Sequence, residues 1–146
     1  SRVKWRFKLC KELRQVMDKH ETKSEIKETF STCISEWLFN GEVTVCKYAS
    51  SHARVICSQT QIGWEQLFRG KMSVEWMDLQ EQYMRNQGID KAGYVWGAAI
   101  VECFLKNMVE VWETRNEDVH GKTKTEKQHK RKLKLAEQIR ELQKEK

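Results

Sequence analysis

An all-α fold follows from three features of this 146-residue sequence. Proline is absent, glycine numbers only 7, and apolar residues recur at three- and four-residue spacing rather than alternating. The expected architecture is a helical bundle around a long central apolar helix, residues 1–121, followed by a basic C-terminal helix or tail, residues 122–146. A hydrophobic content of 39% beside 33% charged residues suits a charge-rich helical protein rather than a disordered one. Six tryptophans (Trp5, Trp37, Trp64, Trp76, Trp96, Trp112) are spread along the chain and read as core anchors of successive helices.

The first helix is expected from about Arg2 to His20, where Val3, Trp5, Phe7, Leu9, Leu13, Val16 and Met17 give a roughly helical pattern with basic residues between. Glu21–Ser24 interrupts it. Ser24 is the expected N-cap of a second helix carrying Ile26, Phe30, Cys33, Ile34, Trp37 and Leu38, which Asn40-Gly41 closes. Glu42–Cys46 is strand-like in composition but short. A helix beginning near Val43 or Tyr48 and running to about Gln61 is favoured over a small hairpin. Ile62–Gly70 reads as a short helix. Ser73 caps the next, through Trp76, Met77, Leu79, Tyr83 and Met84, which stops at Asn86-Gln87-Gly88.

Asp90 is the expected cap of the central helix, Ala92–Gly121. Its apolar run is too long for a strand, and Gly93 and Gly97 permit close helix approach. Glu102, Lys106, Asn107, Glu110 and Glu113 interrupt it, so a membrane span is not expected. Thr123 or Thr125 opens a final helix, in which Leu135, Ile139 and Leu142 form a narrow stripe. That stripe suits either a coiled-coil partner or docking on the body.

The net charge of +6 is unevenly placed. Residues 122–146 hold ten Lys/Arg against four Glu, whereas residues 1–121 hold 17 of each sign. Lys122, Lys124, Lys127, Lys130, Arg131, Lys132 and Lys134 are therefore the expected contacts to an acidic partner, nucleic acid first among them. The five cysteines (Cys10, Cys33, Cys46, Cys57, Cys103) form no C-x-x-C pair and read as buried free thiols of a reducing intracellular compartment, cytoplasm or nucleus. No signal peptide is recognised at the basic, amphipathic start. Cys46, His52 and Cys57 lack zinc spacing and a fourth ligand, so no metal or other cofactor is expected.

The chemically distinctive cluster closes the central helix. Arg115 offers a permanent charge and a planar fork suited to phosphate. His120 accepts or donates a proton near neutral pH, and Asn116 lies one turn before it on the same helix face. These are the parts that metal-free RNA cleavage requires: a base for the ribose 2′-OH and a cation for the charge growing on phosphate. The same residues also suit a structural helix end, with His120 near the negative end of the dipole.

Arg115-Asn116-x-x-x-His120-Gly121 resembles the R-N-x-x-x-H-G form of the HEPN superfamily motif. HEPN domains are all-helical bundles, many of them metal-independent endoribonucleases that pair so that two motifs face one cleft. The resemblance implies Arg115 and His120 as catalytic, Asn116 as supporting, RNA rather than DNA as substrate, and a homodimer. Arg14 and His20 satisfy the looser Arg-x5-His form. A broader stretch, IGWEQLFRGKMSVEWMDLQ followed by VWETRNEDVHG and a basic helix, is similar to helical segments of uncharacterised proteins of eukaryotic mobile elements. That second resemblance implies a nucleic-acid context without a defined activity; the alternative to a ribonuclease is a non-catalytic nucleic-acid-binding or assembly module of such a protein.

Overall fold

The computed structural model describes the backbone of residues 2–45, 50–120 and 125–144, and the side chains of 3–45, 51–113 and 131–142. Among the described residues the chain forms six α-helices: α1 Arg2–Lys19, α2 Ser24–Asn40, α3 Ser50–Ile62, α4 Val74–Asn86, α5 Gly93–His120 and α6 Thr125–Lys144. A 3-10 helix, Trp64–Arg69, lies between α3 and α4. Among the described residues there is no strand, and no helix is long and apolar enough to cross a membrane.

Helix α5 packs against α1, α4, α6 and the 3-10 helix. Trp96, Ile100, Val101, Cys103 and Phe104 are its buried face. The helix is not apolar-covered all round, because Tyr94, Val95 and Met108 stand in solvent. The core centres on Phe30 of α2. Its ring makes edge contacts with Trp76 (4.9 Å), Trp64 (6.2 Å) and Phe104 (6.3 Å), joining four elements through one side chain. Leu9, Leu13 and Met17 of α1 close the same core. Of the six tryptophans, Trp64, Trp76 and Trp96 are buried, Trp5 and Trp37 pack at the core's edge, and Trp112 is half-buried on α5.

Buried polar groups tie the loops to the core. The Gln80 amide accepts from Lys23 N and donates to Glu21 O, both at 3.0 Å, and so fixes the α1–α2 turn. Gln59 Oε1 accepts from Ser73 N at 2.9 Å, and Trp96 Nε1 donates to Thr22 Oγ1 at 2.7 Å.

Several helix starts differ from expectation. Ser24 is the first residue of α2 rather than its cap; the preceding Lys23 makes no side-chain cap. Asp90 does not cap α5, which begins at Gly93; Glu81 of α4 accepts from Gly93 N at 3.0 Å instead. In both cases a side chain from another helix meets the first amides, a partner that local sequence cannot announce. Ser73 caps α4 as expected, accepting from Glu75 N. Val43 precedes α3 and packs on the core; the expected start at Tyr48 lies outside the described residues.

Candidate nucleic-acid interface

The C-terminal part of α5 is flanked by two basic helices. On one side α6 runs back antiparallel to α5. The Arg131 guanidinium lies over the Trp112 ring, 5.2 Å from its centroid, and Lys132 Nζ stands 3.9 Å from Glu113 Oε1. At the far end Gly70 leaves room for α6. A Cβ there would lie 3.3 Å from Leu142 Cδ1 and 3.6 Å from Val101 Cγ1. Trp112 back to Val101 and Arg131 on to Leu142 are equal steps along the two helices, as an antiparallel pairing requires. The stripe Leu135, Ile139 and Leu142 faces the body, where it lines a cleft of about 700 Å³ with Phe68, Leu105 and Trp112. Docking on the body is the arrangement seen, and it turns Arg131, Lys132 and Lys134 to solvent.

On the other side lies α1, also antiparallel to α5. Trp5 Nε1 donates to Asn107 O at 3.2 Å, while Thr22, beyond the other end of α1, meets Trp96. Lys8 forms an ion pair with Glu110, and that bond holds the ammonium above its ordinary pKa. The N-terminal half of α1 is thus brought beside the later turns of α5. From Arg2 to Lys11 it carries five cations and no carboxylate. Dividing the charge at residue 121 concealed this, because α2, α4 and α5 are acidic and offset α1 in the sum. Counting charge helix by helix would have found it.

Arg115, Asn116 and His120 fall on α5, one to two turns past Trp112 and Glu113; their side chains lie outside the described residues. The same holds for Lys127 and Lys130 on α6, while Lys122 and Lys124 lie outside the described residues altogether. Of the expected contacts, Arg131, Lys132 and Lys134 are described, and all three are exposed.

The remaining candidates are put to other uses. Arg14 Nη1 pairs with Glu28 Oε1 of α2 at 3.2 Å. Burial, then Lys19 and Lys91, hold the His20 pKa below its ordinary value. His52 Nδ1 lies 3.1 Å from Thr29 Oγ1, and Cys46 falls outside the described residues. Among the described residues no cluster of His, Cys, Asp and Glu is placed to hold a metal. The described cysteines are free thiols: Cys33 and Cys103 are buried, Cys10 is half-buried, and Cys57, expected inside, is exposed. Burial, then the Glu12 charge, pushes the Cys103 thiol up to about 12.

The fold and its charge define an all-helical bundle whose longest helix is bracketed near its end by two basic helices. No family model, curated protein or solved structure was found that matches the chain.

Proposed function

We propose that this chain is a nucleic-acid-contacting helical domain, with RNA favoured over DNA, and that its contact surface lies where α1 and α6 bracket the end of α5. The observation carrying this reading is the docking of Arg131 on Trp112 and of Lys132 beside Glu113, opposite the cationic half of α1. Two rows of cations on either side of one helix suit a phosphate backbone, whose neutralisation dominates affinity. Arg115, Asn116 and His120 follow on that helix within two turns.

The specific activity proposed is HEPN-like, metal-independent RNA cleavage in a homodimer. His120 serves as general acid/base, Arg115 clamps the phosphate and Asn116 orients the ring or a substrate oxygen. It requires no cofactor. The dimer is proposed through the motif end, because the α6 stripe faces the body rather than a coiled-coil partner. Free thiols support a reducing compartment.

Labelled RNA incubated with EDTA, wild type against His120→Ala, tests the proposal. Cleavage by wild type and its loss in the variant, with RNA binding intact, is the expected result. Binding without cleavage by wild type would leave the non-catalytic module of a mobile-element protein. Absence of binding even at low salt would remove both.

A further inference from the structure

We infer that Phe7 and Phe39 form a stacking platform for an unpaired base of single-stranded RNA. Phe7 is 62% exposed and Phe39 40%, whereas Phe30 and Phe104 are fully buried and Phe68 packs partly buried against the core. The two rings lie 5.4 Å apart at 49°, across the gap between α1 and the end of α2. The core does not account for Phe7. The inward face of α1 is Leu9, Leu13 and Met17, and Phe7, two residues from Leu9, falls to the side of that face and stands in solvent. Phe39 is held at the edge because α2 ends there, with Gly41 in the left-handed conformation directly after Asn40.

The surroundings specify what covers the rings. Arg6 places its guanidinium 5.6 Å from the Phe39 centroid. Exposed Lys4 and Lys11 lie one turn before and one turn after Phe7 on α1. An aromatic face set among cations matches an unpaired nucleotide, which brings a π-face and a phosphate together. A duplex keeps its bases stacked internally and offers no free base face to the rings. An apolar protein partner would gain nothing from the cations. The inference deepens the nucleic-acid reading and rests on it for the class of ligand alone; it is independent of the Arg115–His120 cluster.

Fluorescence anisotropy of a labelled RNA of about 12 nucleotides, as single strand and as duplex, tests it. The proteins are the full chain and its Phe7→Ala, Phe7→Leu and Phe7→Tyr variants. Phe7→Ala is expected to weaken single-strand binding roughly 5- to 150-fold, the range for losing one stacked base, and to leave duplex binding unchanged. Phe7→Leu keeps apolar bulk without a π-face and is expected to behave like Phe7→Ala, while Phe7→Tyr restores binding. Thermal unfolding of all three is expected to match wild type, since the ring is exposed. Equal loss on single strand and duplex, or full binding by Phe7→Leu, would overturn the platform while leaving nucleic-acid contact standing. So would a wild-type dimer that Phe7→Ala dissociates without affecting single-strand affinity. If wild type binds neither RNA, the nucleic-acid reading falls and takes the platform with it.

Discussion

The guanidinium of Arg131 lies over the Trp112 ring, 5.2 Å from its centroid, and this contact joins α6 to α5 where the polar cluster begins. A cation over indole contributes about 0.5–1 kcal/mol at an exposed site. The contact therefore orients α6 more than it holds it; the stripe Leu135, Ile139 and Leu142 supplies the apolar burial.

Separating charge from packing gives the first prediction. Arg131→Ala is expected to weaken RNA binding at all sequences and to lower the salt slope of log affinity by about 1, with little effect on unfolding. Trp112→Ala is expected to loosen α6, read as faster amide exchange across Thr125–Lys144. An Arg131→Ala slope equal to wild type would remove this residue from the phosphate-contacting surface.

Two glycines of α5 differ in what faces them. A Cβ at Gly93 would lie 2.3 Å from the backbone oxygen of Met77, whereas at Gly97 the nearest atoms are the Met77 Sδ at 2.6 Å and Cγ at 2.7 Å, both in a flexible side chain. Gly93→Ala is expected to cost about 1–3 kcal/mol or more, because helix α5 must move off α4. Gly97→Ala is expected to cost less, since Met77 can change rotamer. Denaturant unfolding of both variants measures the order.

Asn107 is the buried polar residue linking α5 to α1: its Nδ2 donates to Glu12 Oε2 at 2.8 Å and to Cys103 O at 2.9 Å. Asn107→Asp removes the donor and sets two carboxylates against each other, which is expected to cost about 1–3 kcal/mol at neutral pH. Like charges raise the folded-state pKa of the new carboxyl above its unfolded value. The penalty is therefore present at pH 7 and is relieved as pH falls through that raised value. Unfolding midpoints of variant and wild type should converge between pH 7 and about 5; parallel curves would show that the two groups do not interact.

The Cys103 thiol, pushed up to about 12 from an ordinary 9.0, stays neutral when the unfolded chain's thiol ionises. A folded pKa raised above the unfolded one gives stability that is complete below pH 9 and is lost as pH rises from there towards 12. Wild type is expected to lose stability more steeply than Cys103→Ala above pH 9. A thiol reagent at about pH 8 should label exposed Cys57 at once and Cys103 only on unfolding.

Element identity was legible where one helix carries its own pattern. Ser73 as a cap, the apolar spacing of α2 and the stops at Gly41 and Gly70 are local chemistry, and they stand as read. The starts of α2 and α5 were misread because Gln80 and Glu81 of α4 serve amides distant in sequence. The Phe7–Phe39 pair left no signal, since an apolar residue on a periodic helix reads as core until its neighbours are known.

By itself the sequence determined the all-α fold and the basic character of α6, because helix periodicity, absent proline and charge are properties of residues near in the chain. Only the tertiary structure decided which faces are buried and which charges meet. It turned the α6 stripe onto the body, brought the cations of α1 beside the later turns of α5, and left Phe7 in solvent. These are outcomes of packing between distant segments, where the burial of one face fixes what every other face must present to water.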